Sequence, residues 1–342
     1  MRNKALQGIL GEAEIVQRSK DHLRLGSLTS TESAGADRQS DGREPKVVIV
    51  ILNWNGKRVT VECLDSLKGI DYGNYEILLV DNGSTDGSQE YFRAQYPEIS
   101  LIENEKNLGF GEGNNVGIRH AMNRRADYVI LLNNDTLVHT KFLSELVHVA
   151  ESNSRIGFVG PKIYYHDWHS QRDVIWSAGG SVNLWIGKTL NIGDGEKDRG
   201  QYGEIREVDW LEGSCLMVKR EVVQRMGLLD ATLFAYWEDA DWCIRGSHMG
   251  YTSVFVPNAI IWHRVAASSG GVRRRYYLTR NVFWFMKKHA TGKQNLSFLL
   301  YFFFVQFWIT TGKIIATNRR RQFLCFLKGV RDGVARVQVD FY

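Results

Sequence analysis

The chain has 342 residues, 44% of them hydrophobic and 24% charged, which is a globular composition long enough for one large domain or two ordinary ones. Lys and Arg number 43 against 38 Asp and Glu, for a net charge of +5, so a uniformly basic nucleic-acid-binding surface is excluded and no nucleic-acid partner is expected. Cys63, Cys215, Cys243 and Cys325 lie far apart with no CxxC pair, which argues against a zinc ribbon or disulfide scaffold and makes a reducing cytosol the default.

Residues 1–45 are polar, rich in Ser, Thr, Gly, Asp and Arg, and lack the apolar run of a secretory signal. They cannot bury enough apolar surface to offset their ordering entropy, so a disordered N-terminal tail is expected, with room for one short helix. Order is predicted to begin at VVIVILN (47–53), a β-branched run of the kind covered on both faces of a parallel sheet. A helix over 57–69, strand YEILLVD (75–81), a helix from Asp86, strand ISLIE (99–103), a helix near 113–124 and strand DYVILLN (127–133) follow. Strands alternating with helices imply right-handed crossovers and an open α/β sheet. Beyond residue 155 short strands mix with Gly and Trp, then come a helix, an aromatic turn, the helix EDADWCIRGSHMG, the strand ending IIWH, and a basic-aromatic helix over 273–289.

From Gln294 to Gly312 no residue is charged, while Lys287, Lys288 and Lys293 precede the run and Lys313 and Arg319–Arg321 follow it. Nineteen uncharged residues are at the lower edge of what crosses a bilayer. Their Phe, Tyr and Trp content favours the interfacial zone, and a buried core helix is the competing reading. Residues 291–342 are therefore expected to be a membrane-associated apolar helix with a basic tail, either spanning or lying in the plane.

Ligands of open α/β sheets bind outside the carboxyl ends of the strands. There the chain places Asn53-Trp54-Asn55-Gly56, Asp81-Asn82-Gly83-Ser84-Thr85-Asp86 and Asn133-Asn134-Asp135-Thr136. Each alone suits a turn or helix cap, and Asp86 is read as a cap; three together at the ends of one sheet indicate a site. The run from Asn107 through Gly109, Gly111 and Gly113 to Asn114 misses a dinucleotide fingerprint, because Asn occupies the third glycine position and the loop does not follow the first strand. A Gly-rich helix entry can still approach a phosphate or sugar closely. The HDWH at 166–169 has no third ligand and is read as surface.

In order and spacing, VVIVILNWNG, LLVDNGSTDGS, NLGFGEGNNVGI, ILLNNDTLV, WLEGSCLMVKR and YWEDADWCIR resemble family 2 glycosyltransferases, and within them the rhamnosyltransferase-like branch that builds bacterial polysaccharides. The resemblance covers about residues 47–290 and implies a GT-A fold: an α/β, Rossmann-like, mostly parallel open sheet with helices on both faces, plus C-terminal helices. It divides the domain 46–290 into a nucleotide-sugar-binding half (46–155) and an acceptor-binding half (156–290). It implies an inverting enzyme that moves rhamnose or a related hexose from a dTDP- or UDP-sugar to a saccharide or polyisoprenoid-linked acceptor, with Mg2+ or Mn2+, at the cytoplasmic face of the cell membrane.

Carried over by residue, the resemblance makes Asp81 the acceptor of the base N3–H, with Asn53 and Asn55 beside the ring. Asn82, Asn107, Gly109, Gly113, Asn114, Asn133 and Asn134 line the rest of the donor site. The usual DxD metal motif reads Asn133-Asn134-Asp135, so Asp135 alone supplies a charged ligand, joined by His263. Glu212, Gly213 and Trp237 form the acceptor-side wall, and Asp239 is the general base with Glu238 as runner-up. Arg273, Arg274, Arg275 and Arg280 either close on the donor pyrophosphate, the role assigned to Arg274, or face anionic lipid. A sugar-nucleotide nucleotidyltransferase would need a basic Gly-rich loop after the first strand, which NWNGKR fits poorly. A non-catalytic nucleotide-sugar-binding protein would tolerate loss of Asp135 and Asp239, and both are present.

Overall fold

The computed structural model describes residues 43–265, 271–317 and 319–338. The tail expected over 1–45 falls outside the described residues except for 43–45. Residues Glu44–Tyr342 form one compact unit.

The first half runs β1 (Val47–Asn53), α1 (Lys57–Leu67), β2 (Tyr75–Asp81), α2 (Ser88–Gln95), β3 (Ser100–Glu103), α3 (Gly109–Asn123) and β4 (Tyr128–Asn133). After it come β5 (Thr136–Val138), α4 (Phe142–Glu151), β6 (Ile156–Tyr165), β7 (Ile175–Ser177), the hairpin β8 (Gly180–Asn183) and β9 (Lys188–Asn191), β10 (Arg206–Val208) and β11 (Cys215–Lys219). The chain continues through α5 (Arg220–Met226), α6 (Glu238–His248), β12 (Thr252–His263) and α7 (Gly271–His289). It ends in α8 (Gly292–Tyr301), a π-helical turn, α9 (Phe307–Ala316) and α10 (Arg320–Ala335).

The main sheet has the order β10-β12-β6-β11-β4-β1-β2-β3. β3, β2, β1 and β4 are mutually parallel, β6 and β12 are parallel to each other, and β11 runs antiparallel between β4 and β6. The mostly parallel open sheet is therefore found, and β11 knits the two expected halves into one sheet. β1 is apolar throughout because both its faces are covered. Val47, Ile49 and Ile51 enter one core with Leu64 and Phe142, whereas Val48 and Val50 enter a second with Ile118 and Trp242.

Two expectations change. The helix foreseen near 113–124 begins at Gly109, so the glycines lie inside its first turns. Their bare faces let α3 sit directly on β1: a Cβ at Gly113 would lie 2.7 Å from Leu52, and one at Gly117 would lie 2.2 Å from Val50. Gly113 and Gly117 thus serve close packing of helix on strand. Arg280 is also not a ligand-facing arginine, because it is fully buried in α7.

The apolar run forms one continuous helical stretch, Gly292–Ala316, with mean hydropathy 1.5, long and apolar enough to cross a membrane. Only 28% of that window is buried, so the core-helix reading does not describe it. Phe298, Phe302 and Ile314 pack inward, while Leu296, Leu300, Phe304, Trp308 and Ile315 are exposed. Gln306 is satisfied locally, accepting from Tyr301 and donating to Thr310.

Gly117→Ala forces overpacking against Val50 and is expected to cost about 1–3 kcal/mol. Urea unfolding should show a lower midpoint at unchanged slope; an unaltered midpoint would mean that α3 does not need this close approach.

Candidate active site

The strand ends are tied into a closed polar network. Asn53, fully buried, donates to Asp81 Oδ2 (2.7 Å) and Ser84 Oγ (3.2 Å), and its Oδ1 accepts from Gly56 N, Thr60 and Asn134. Asp81, also fully buried, accepts from Asn53, from Ser84 N (2.9 Å) and from Gln89 (2.8 Å). Asn82 donates to Asn107 and Gly109 O and accepts from Asn104 and Leu108 N. Asn114 donates back to Phe110 O. Asn53 and Asn82 thus fill their hydrogen-bonding capacity inside the protein, which fixes the loops. Asn55, in the left-handed region at φ 52°, accepts from Thr85 N (2.7 Å). Of the strand-end asparagines, Asn133 uses its backbone to bind Ser214 O and receive Thr136, while Asn134 reaches Thr60.

Asp135 and His263, distant in sequence, meet because β5 pairs with the end of β12, with Thr136 opposite His263. His263 Nε2 lies 3.2 Å from Asp135 Oδ1. Burial disfavours the charged ring, but the Asp135 carboxylate outweighs it and holds His263 above its ordinary pKa. Asp135 Oδ1 and His263 Nδ1 are buried without a hydrogen-bond partner. Once the ring gives up its proton, this carboxylate and imidazole fit a divalent ion that takes its remaining ligands from phosphate. No cluster of three or more His, Cys, Asp or Glu suited to a metal occurs among the described residues.

The acidic pair sits at the start of α6. Three of the four residues before it adopt a conformation that L-residues rarely occupy: Phe234 (φ 63°), Tyr236 (φ 70°) and Trp237 (φ 79°), with Ala235 between the first two. The turn is held from two sides. Asn281 Nδ2 donates to the carbonyls of Leu233, Ala235 and Tyr236, each at 2.8 Å, and Arg280 donates to Thr232 O and Leu233 O. From α3, Phe110 N and Gly111 N donate to Phe234 O. A side chain at Gly109 would strike Phe234, which is why glycine stands there.

Asp239 is oriented by Gly213 N–H to Oδ2 (2.9 Å) and by Ala240 N–H to Oδ1 (2.8 Å). A Cβ at Gly213 would lie 3.3 Å from that carboxylate. Burial and the neighbouring Glu212 push Asp239 up to about 7. Glu238, buried with Oε2 unpartnered, is raised as well, by burial first and Asp239 second. Asp241 faces away: burial opposes its charge, but His289, Arg245 and Lys288 hold it down at about 2. Trp237 packs on Phe285, 4.8 Å between ring centres. The exposed Arg274 lies over the Tyr236 ring at 5.8 Å. The Glu212 charge raises both His263 and Asp239, so its carboxylate lies within electrostatic range of the Asp135–His263 pair and of the acidic pair.

Sequence reasoning missed Asn281, whose Arg-Asn context inside a basic-aromatic helix gives no local signal. A cavity behind the turn is lined by Asp230, Asp241, Trp284 and Lys288, with Asp239 not among its lining residues.

The family model described as glycosyl transferase family 2 matches residues 47–224. An N-acetylglucosaminyl-diphospho-decaprenol L-rhamnosyltransferase of Mycobacterium tuberculosis is 31% identical over 209 residues, 57% of this chain and 68% of that protein. A dTDP-rhamnosyl transferase RfbF of Shigella flexneri is 23% identical over 303 residues, 83% of this chain and 95% of that protein. Among solved structures, the mannosyltransferase PcManGT of Pyrobaculum calidifontis, in complex with GDP-Man and Mn2+, aligns at TM-score 0.59 and 17% identity over 94% of this chain and 93% of that one, a likeness of fold.

Asn281→Ala removes three hydrogen bonds from the strained turn and should cost about 2–4 kcal/mol in unfolding free energy. Misplacing the acids should also lower kcat by about 10–10²-fold. Steady-state kinetics on folded variant check this, and an unchanged kcat would uncouple the turn from catalysis.

Proposed function

Because the chain belongs to glycosyltransferase family 2 and is a sugar-transferring enzyme of polysaccharide synthesis in its rhamnosyltransferase-like branch, we propose that it is an inverting transferase that uses Asp239 as general base. The donor is a dTDP- or UDP-sugar carrying rhamnose or a related hexose, and the acceptor is a saccharide or lipid-linked saccharide. The observation that carries this reading is the Asp239 carboxyl, fixed by two backbone N–H groups and raised to about 7 beside Glu212.

Inversion is a single displacement in which the acceptor hydroxyl attacks the anomeric carbon opposite the departing diphosphate. A sugar hydroxyl is a weak nucleophile, so a carboxylate takes its proton as the bond forms. Asp239 is suited to this: its two oxygens are aimed by Gly213 and Ala240, and each keeps a lone pair free for the hydroxyl. A pKa near the working pH lets it be ionised yet basic. Asp135 and His263 would hold Mg2+ or Mn2+, which supplies neutralisation of the diphosphate charge. Asp81 retains acceptor capacity for the base N3–H beyond its three internal bonds, and Arg274 stands near the acids for the pyrophosphate. The exposed apolar helices α8 and α9 with their basic flanks suit the cytoplasmic face of a membrane.

Asp239→Asn keeps the shape but removes the base, and kcat should fall by about 10²–10⁴ with donor affinity nearly intact. Should Glu238→Gln show that loss and Asp239→Asn remain active, the base is Glu238. In the parent enzyme kcat/KM should rise as pH increases through about 7, since the base works deprotonated. Glu212→Gln removes a like charge and should move that midpoint to lower pH; a midpoint unmoved by it would assign the titration elsewhere.

Metal dependence is tested separately. Turnover should vanish in EDTA and return with Mn2+ or Mg2+, and Asp135→Asn should weaken metal-dependent donor binding. Full activity in EDTA would show that side chains alone neutralise the diphosphate.

A further inference from the structure

The first turns of α7 and α10 lie side by side: a Cβ at Gly271 would come within 3.3 Å of the Gln322 amide. Arg275 of α7 thereby comes within electrostatic range of Arg319, with Arg320 and Arg321 following in the first turn of α10 and Arg273 and Arg274 preceding Arg275 in α7. Neither first turn holds an acid, and none of the six arginines has a carboxylate partner among the described residues. Val272, Arg319, Arg320, Arg321 and Gln322 line an open cavity there. Arg275 is half-buried, and burial with the like charges of Arg274 and Arg319 disfavours its cation. Arg274, Arg275 and Arg319 repel one another, and Arg320 and Arg321 add positive charge at the N-terminal end of α10, so the cluster is held together at a cost that a bound polyanion would remove.

The surroundings narrow the anion. On one side the cluster continues into the apolar helices, where Leu300, Phe304, Trp308 and Ile315 are exposed. On the other, Arg274 reaches Tyr236 in the turn that carries the acidic pair. An amphiphile with a dianionic head and a hydrocarbon tail matches both neighbours.

We propose that the Arg275 and Arg319–Arg321 cluster binds the diphosphate of a polyisoprenoid-diphosphate-linked acceptor, whose hydrocarbon lies along the exposed face of α8 and α9. This rests on the glycosyltransferase reading and adds to it where and by what chemistry the acceptor is held. The arginine forks take the phosphate oxygens bidentately, a geometry that lysine does not reproduce. The saccharide beyond the diphosphate is thereby directed toward Tyr236 and Asp239.

The test uses full-length protein and co-sedimentation with three vesicle types: phosphatidylcholine alone, phosphatidylcholine with phosphatidylglycerol, and phosphatidylcholine with undecaprenyl diphosphate, the last two at matched surface charge. The parent should bind the diphosphate vesicles about tenfold or more tighter than the phosphatidylglycerol vesicles. The triple variant Arg319→Ala, Arg320→Ala, Arg321→Ala should lose that excess. The corresponding triple lysine variant should keep phosphatidylglycerol binding and lose most of the excess. Equal affinity of the parent for the two anionic vesicles, or an excess that survives in the alanine variant, overturns the proposal in favour of a generic anionic surface. If the variants do not fold, inorganic pyrophosphate decides: it must displace the parent from diphosphate vesicles but not from phosphatidylcholine, and failure to do so is equally fatal. Vesicle preference needs no donor, so its failure is distinguishable from loss of the proposed function, which donor turnover and Asp239→Asn read.

Discussion

The active geometry depends on how the turn before α6 is held. Phe234, Tyr236 and Trp237 occupy left-handed backbone at an expected cost of roughly 1–3 kcal/mol each. That conformation persists because every carbonyl from Thr232 to Tyr236 is taken up by Arg280, Asn281 or the first amides of α3. Arg280 is itself fixed by its bond to Asn281 and by the faces of Tyr276, Tyr277 and Trp284. A buried guanidinium therefore sets the path of the chain, and α6 begins where that path ends. The glycines of α3 belong to the same arrangement, since they bring its N-terminus close enough for Phe110 and Gly111 to reach Phe234.

One short helix then gives its acids opposite characters. Glu238 and Asp239 are raised because burial and neighbouring carboxylates act on them with only backbone amides in opposition. Asp241, two residues on, is held low by His289, Arg245 and Lys288. Residues i and i+2 of a helix face apart, so the chain can anchor α6 with one carboxylate while the neighbouring pair sits in a different electrostatic environment. The anchor also ties α6 to α7, the helix that shapes the turn.

The C-terminal helices are built around the same α7. Gly329 and Gly333 of α10 let it approach so closely that a Cβ at either would meet Tyr276, Thr279, Arg280 or Phe283. Buried Asp332 accepts from the Tyr276 hydroxyl at 2.8 Å. Through α7, the helices that expose apolar surface are mechanically continuous with the turn that positions the acids. α7 thus packs on one side against α10 and on the other holds the turn before α6.

Much of this was legible in the residues. The β-branched run 47–53, the alternation with amphipathic stretches and the polar strand ends determined an open α/β sheet with its site at the carboxyl edge, because periodicity and chain direction are local properties. The uncharged run 294–312 likewise announced a helix without a polar face. What only the tertiary structure decided is which polar groups are spent and which are free. Asn53 and Asn82 look like ligand residues in sequence, and folding turns their side chains inward to bonds within the protein. Gly113 stands in the Gly-rich helix entry read from sequence, and only the fold shows that it and Gly117 are contact points for Leu52 and Val50. Asp135 and His263 become a pair only when β5 lies beside β12, and Asn281 gains meaning only when three carbonyls converge on it. Local sequence encodes the conformation each segment prefers; hydrogen-bond partners and close approaches arise between segments remote in the chain, and packing alone brings those together.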